Sequence, residues 1–353
     1  MEENRVIHPD FRDDTLPSFR LNAIRRKYRR RLWSEFDAGS IVLESLDQCP
    51  CGNQTLMKIA GKDRFGFPLG TYLCTDCSLL ISNPRIASKS LTRYYEEFYH
   101  PLVLGTPPGS TMEAVVKEDQ AACIAEFLRQ EIIPPEGGPL RVCEIGCASG
   151  SNLMRIRDIA EGAGTKVELY ATELEKSYVE TAKGKGINVL RSGLEKIRDF
   201  NVSFGLIIMS HVFEHLPEPS ESLGLIQAVM HPESRLYIEV PGVRNLAEYG
   251  YDLTDYHVHA HMFNFDLNAL QALVEKSGFK MLRGDETVRA VFKLGTPNKA
   301  SKSAPQELLE YLQTLPAKTR EARATFKSLA RTIWRNFHRI ESYALPRINH
   351  LKK

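Results

Sequence analysis

Three groups of residues have types and spacings that can do chemistry. In CEIGCASGSN, residues 143–152, Glu144 stands near the end of an apolar run and Gly146, Ala148, Ser149 and Gly150 follow it closely. Small residues there allow a tight turn and leave the backbone N–H groups of a following helix open to a ligand. In KVELYATELE, residues 166–175, Glu173 ends a second apolar run with Leu174 beside it. A carboxylate at such a place can accept hydrogen bonds from both hydroxyls of a ribose. A second group is Cys49, Cys51, Cys74 and Cys77, a CxC followed by a CxxC. Four thiolates at this spacing can surround zinc tetrahedrally, and a closed set of four cysteines makes the metal structural. The third group is histidine: His211 and His215 behind a later apolar run, and His257, His259 and His261 within DYHVHAHMFNF. Imidazole titrates near neutrality and is the natural group to take a proton from a hydroxyl or an activated carbon. The alternation of the last three would put them on one face of an extended segment, where they could also hold a second metal.

The elements that must position these groups follow from periodicity. Apolar runs at 140–146, 166–173, 187–191, 204–210 and 235–242 are separated by helical or loop stretches. Such alternation predicts an α/β fold with a doubly wound, Rossmann-like parallel sheet covered on both faces. GFKMLRGDE and RAVFKLG are close enough to add an antiparallel hairpin at its edge. Five segments are expected: a basic, loose N-terminal arm over 1–44 that becomes helical around 21–36, and a small independent zinc-binding module over 45–90. A helical connector over 91–135, the sheet domain over 136–298 and a basic amphipathic tail over 299–353 complete the chain. Asp266 is expected as the N-cap of a helix beginning LNALQALVEKSG.

The spacing E-x-G-x-A-x-G differs from the dinucleotide pattern and resembles motif I of the class I S-adenosylmethionine (SAM)-dependent methyltransferases. Glu173, the stretch LRSGLE at 190–195 and IIMSHVFEHLPEP at 207–219 resemble the family's later motifs, in the right order at successive strand ends. The resemblance implies SAM as cofactor, contacted by Glu144, Gly146, Ala148, Ser149, Gly150, Glu173, Leu174, Gly193, Leu194 and Ser210. Ala148 departs from the commoner glycine. CPCG, CTDCSLLISNPR and YYEEFY resemble the N-terminal zinc domain of bacterial methyltransferases acting on sugar nucleotides and surface-glycan precursors, including the deoxysugar C-methyltransferases. This likeness covers roughly residues 45–290 and implies methyl transfer to a sugar nucleotide or glycan-biosynthesis intermediate. AHMFNFD resembles the family stretch in which a histidine precedes an aromatic residue and a helix cap, here Phe265 and Asp266. It points first to His261 as base, with His211 and Tyr256 as further candidates.

Charge separates the alternatives. The 353 residues carry +2 overall, yet the segment from Lys318 onward holds ten Lys or Arg against Glu321 and Glu341, so the remainder sums to −6. An RNA methyltransferase is one alternative, since zinc ribbons and basic segments occur there, but the basic residues lie at the ends around an acidic body. A non-catalytic zinc-ribbon interaction protein is another, opposed by the set Glu144, Gly146, Gly150 and Glu173. No apolar run of about 18 residues exists and the first residues are acidic and polar, so the expectation is a cytoplasmic chain. Seven cysteines, four of them clustered, fit metal ligation in a reducing compartment. In TFKSLARTIWRNFHRIESY, Phe326, Leu329, Ile333, Phe337 and Ile340 share a helical face ringed by cations, which suits an anionic membrane surface, a protein partner or nucleic acid.

Overall fold

The structure is a computed structural model that describes residues 6–106, 112–132, 138–296 and 304–325, without the side chains of 112–119 and 323–325. The described residues fall into two compact units: those within 109–240 and 273–300, and those within 1–108, 241–272 and 301–353.

The first of these is built on a seven-stranded sheet: β1 (Leu140–Ile145), β2 (Val167–Thr172), β3 (Asn188–Leu190), β4 (Phe204–Ser210), β5 (Met230–Glu239), β6 (Phe279–Asp285) and β7 (Arg289–Leu294). Their order is β6-β7-β5-β4-β1-β2-β3. The pairs β5–β4, β4–β1, β1–β2 and β2–β3 are parallel, and β7 runs antiparallel between β5 and β6. The expected edge hairpin is therefore present. The central strands carry the longest apolar runs because both their faces are covered: Leu206, Ile207, Ile208 and Met209 of β4 are all fully buried. Helices Ser151–Gly162 and Lys176–Gly184 supply Leu153, Ile156, Ala160, Val179 and Ala182 to one core, shared with Ile124 and Leu128 of the Met112–Phe127 segment and its end. Arg283 of β6 fixes that segment's end: it donates to both carboxylate oxygens of Glu131 (3.1 and 2.6 Å) and stacks 4.0 Å over Phe127.

The other unit contains a four-stranded antiparallel sheet in the order 263–264, 80–83, 70–74, 56–60. The cysteine segment is thus not the self-contained module its spacing suggests, because Phe263 pairs with Ile81 and Asn264 with Leu80. Nor is the N-terminal arm loose. Helix Ala23–Asp37, capped by the Asn22 side chain accepting from Arg25 N, puts Leu32 into a core with Phe65, Phe67, Tyr94 and Phe98, and Trp33 and Phe36 pack against it. That apolar face outweighs the charge run. A second core joins Phe11, Ile59, Leu73 and Leu80 to Leu308, Leu312 and Leu315 of helix Pro305–Thr325. The amphipathic stretch from Phe326 onward lies outside the described residues. Among the described residues, no helix is long and apolar enough to cross a membrane.

Candidate active site

The glycine cluster forms the turn that links β1 to helix Ser151–Gly162. Gly146, Ala148 and Gly150 all take left-handed backbone conformations, with φ of 68°, 47° and 80°. At Gly150 a Cβ would stand 2.4 Å from Ile187 Cδ1, and at Gly146 one would stand 2.8 Å from Val212 Cγ2, so both need glycine for space as well as for φ. Ala148 holds its conformation against the usual Cβ penalty. Its N–H donates to Glu173 Oε2 at 2.8 Å. Glu173 Oε1 accepts from the N–H groups of Leu174 and Glu175 at 2.8 and 2.9 Å. The acidic residue at the end of β2 therefore ties the glycine turn to its own strand end, using about three of its roughly four acceptor positions.

Around this turn stand the other residues expected to touch a cofactor. Glu144 is 1% exposed and accepts from Asn152 Nδ2 at 2.6 Å. Ser149 Oγ lies 3.3 Å from Ser151 Oγ. Leu174 is one of the few large apolar side chains left exposed, at 54%. Gly193 N donates to Glu195 Oε1 at 3.0 Å, and Leu194 is buried at the start of the short helical segment after β3. Ser210, the last residue of β4, donates to Glu239 Oε2 at 3.1 Å and accepts from Gln120 Nε2 at 3.3 Å; Tyr237 donates to the same Glu239 oxygen at 3.2 Å. Glu239 was not anticipated, because it reads as one more residue of an apolar strand; its polar character there, at a strand's carboxyl end, was the available signal.

Directly after β4, His211 has a φ of 57°, a conformation sparsely populated by residues other than glycine, and its N–H donates to the Glu239 carbonyl at 2.8 Å. Its Nδ1 lies 3.7 Å from Glu214 Oε1, and His215 Nε2 lies 3.7 Å from the same oxygen. Glu214 is completely buried, so one carboxylate faces two imidazoles. Because Val212 abuts Gly146, this histidine segment and the glycine turn are neighbours.

Residues 116–283 match the family model for a "Methyltransferase domain". That match spans a little under half of the chain. No curated relative matches the chain. Among solved structures, LepI in complex with SAM is 19% identical, with a TM-score of 0.39 over 47% of this chain and 46% of that one. The chain thus spans about half the length of that protein. The plantazolicin methyltransferase BpumL in complex with S-adenosylhomocysteine is 13% identical, with a TM-score of 0.42 over 67% of this chain and 90% of that one. A SAM-dependent methyltransferase from Aquifex aeolicus is 20% identical, with a TM-score of 0.37 over 51% and 96%.

The unit outside the seven-stranded sheet holds the remaining candidates. Tyr256 ends helix Leu253–Tyr256 and donates to the Pro241 carbonyl at 2.8 Å, and His261 is 1% exposed, its carbonyl accepting from Ser82 Oγ at 2.5 Å. Residues 257–262 form a turn, closed by His261 N donating to the Val258 carbonyl at 2.9 Å, and not the extended segment that would align three imidazoles. Among the described residues, His257, His259 and His261 are not a ligating group. His259 is instead held by Asp63 Oδ2 at 2.6 Å from Nδ1 and by the Tyr94 hydroxyl at 2.8 Å from Nε2, all deeply buried. Burial raises the Tyr94 phenol well above its ordinary range, so it donates to Nε2 while Nδ1–H points at Asp63. Burial also lowers His257 to about 4. Asp63 and Tyr94 lie far from His259 in sequence, and no local pattern announces them.

The cysteine set meets the requirements of a tetrahedral metal. Cys49 Sγ and Cys77 Sγ are 3.5 Å apart, and Cys51 Sγ and Cys74 Sγ 3.6 Å. Four sulfurs about 2.3 Å from one zinc ion would be separated by about 3.8 Å. All four lie within 4.8 Å of one another. Hydrogen bonds from the Cys49 and Cys77 thiols lower Cys74, while Cys49 and Cys77 are raised.

Proposed function

We propose that the protein methylates a sugar nucleotide or related glycan-biosynthesis intermediate, with the four-cysteine cluster holding a structural zinc ion and a histidine removing the acceptor's proton. The observation that carries the reading is the left-handed glycine turn locked to Glu173, with His211 beside it at the end of β4. SAM supplies an electrophilic methyl group on a sulfonium. Gly146, Ala148, Ser149 and Gly150 give it a turn of close backbone approach, Glu173 accepts from a ribose hydroxyl with its remaining acceptor position, and Leu174, with Gly193 and Leu194, covers the adenine face that its exposure leaves room for. Glu144 offers negative charge near the donor's cationic end. Ser210 joins this set through the Glu239 network.

Transfer is an in-line displacement in which alignment does much of the work. A bond forms between the methyl carbon and an acceptor oxygen or carbon, the bond to sulfur breaks, and the acceptor's proton passes to the His211 imidazole. Glu214, buried 3.7 Å from its Nδ1, stabilises the resulting cation. The geometry favours His211 over His261 because His211 belongs to the unit that carries the glycine turn. Tyr256 and His261 are assigned to shaping the 256–261 turn, as their backbone and carbonyl bonds suggest.

The test is S-adenosylhomocysteine release by the zinc-loaded protein with nucleotide-linked deoxysugars as acceptors. His211→Gln should lower kcat by about 100-fold or more with SAM affinity unchanged. An unchanged kcat would take the base role from His211. Turnover of RNA with none on nucleotide sugars would overturn the acceptor class.

A further inference from the structure

The arginine-rich arm contains a feature that methyl transfer does not use. Residues 17–30 enclose an open cavity of about 510 Å3, lined by Phe19, Leu21, Arg20, Arg26, Arg29 and Arg30 among others, with no carboxylate in its wall. The arginines of this arm are sorted. Arg31 and Arg93, outside the cavity, are neutralised by Glu35 and Glu97. Arg25 is buried and donates to the Leu102 and Val103 carbonyls. Within the cavity and among the described residues, Arg26 donates only to the Leu21 carbonyl, and Arg29 only to the carbonyls of Phe65 and Thr15. The carboxylate whose field reaches Arg29 is Asp63, which is completely buried and bonded to His259. Among the described residues, Arg20 and Arg30 make no hydrogen bond or ion pair. Four arginines thus line one concavity with no carboxylate paired to them among the described residues.

We infer that this cavity is a binding site for a nucleoside diphosphate. Guanidinium forks match phosphate oxygens in pairs, and several around one hollow suit two linked phosphates better than a single carboxylate. Phe19 and Leu21 give the same hollow an apolar wall against which a base or ribose can lie. The volume falls inside the range of about 300–1,000 Å3 typical of small-molecule sites. A lipid surface or a nucleic-acid strand is met by a continuous basic stripe, whereas here four arginines line one hollow and the neighbouring Arg25, Arg31 and Arg93 are paired off. The inference deepens the acceptor reading, since a sugar nucleotide carries this group; binding is read without methyl transfer, so loss of binding in the arginine variants and loss of turnover report separately.

The experiment is calorimetric titration of the full-length, zinc-loaded protein with uridine diphosphate, inorganic diphosphate and uridine, with anionic phospholipid vesicles and short single-stranded RNA as separate arms. Arg20→Gln and Arg30→Gln are the variants, since both side chains are exposed and unpaired and their loss leaves the fold intact. The site predicts one uridine diphosphate bound per chain, inorganic diphosphate binding more weakly and uridine not at all. Each variant should weaken uridine diphosphate by on the order of tenfold without moving the melting temperature. No binding of uridine diphosphate to the wild type, equal binding by the double variant, or binding of vesicles or RNA alone would each overturn the assignment.

Discussion

His257 makes one unit of this protein acid-sensitive by a calculable amount. Its imidazole is completely buried, and burial lowers it from an ordinary 6.5 to about 4. Asp63 opposes that shift; His259 and Arg64 reinforce it. In the unfolded chain the group titrates at its ordinary value, so between pH 6.5 and pH 4 the unfolded state binds a proton that the folded state refuses. Stability from this source is complete above pH 6.5 and falls as pH drops toward 4. One proton linked over this interval costs about 2 kcal/mol on going from about pH 7 to about pH 5, and about 3 kcal/mol in full. With a urea slope of about 2 kcal/mol/M, the midpoint should move down by about 1 M over the same step. Other groups titrate there too, so the measurement is a comparison. His257→Gln, which keeps a polar side chain of similar size but cannot be protonated, should show a midpoint about 1 M less sensitive to that pH step, whatever its absolute stability. Identical pH dependence in the wild type and the variant would refute the placement of a neutral imidazole in this core.

Three further outcomes follow from the site. Gly150→Ala places a methyl 2.4 Å from Ile187 Cδ1 in a left-handed backbone, and should cost about 2 kcal/mol in denaturant unfolding together with loss of SAM binding. Ala148→Gly removes the Cβ penalty at φ 47° while keeping the N–H bond to Glu173; against the added freedom of the unfolded chain it should gain about 0.5 kcal/mol in the same assay. Chelation of zinc, or Cys74→Ser, should lower the thermal transition and release one metal ion per chain in a colorimetric assay; a chain that melts unchanged without metal would remove the structural role of the four-cysteine cluster.

The sheet was legible because its signal is local. Five apolar runs, each bounded by small or polar residues, became β1 to β5, and the edge hairpin followed from two runs separated by a short turn. β5 begins five residues earlier than its apolar run, since Met230 already pairs with Phe204 of β4 ahead of it. The glycine turn was legible for the same reason, as was Asp266 as a cap: its Oδ1 accepts from Ala269 N at 2.8 Å. What depended on distant partners was not. The histidine alternation gave way to a turn because His259 is drawn onto Asp63 and Tyr94, nearly two hundred residues away in the case of Asp63. The strand at 263–264 finished the cysteine sheet from outside its own segment. The arm's basic run concealed the apolar face of Leu32, Trp33 and Phe36, which decided its packing. Charge and spacing are visible in a sequence; which distant side chain satisfies a buried polar group is not.

The central claim is that the glycine turn and Glu173 hold SAM. It is tested most directly by calorimetric titration of the folded, zinc-loaded protein with SAM and S-adenosylhomocysteine, repeated on Glu173→Ala. Micromolar binding by the wild type that falls by at least about tenfold in the variant, with circular dichroism unchanged, is the result expected from the loss of a carboxylate hydrogen-bonded to the ligand. A folded wild-type protein that binds neither ligand, or a variant that binds them as well as the wild type, would contradict it.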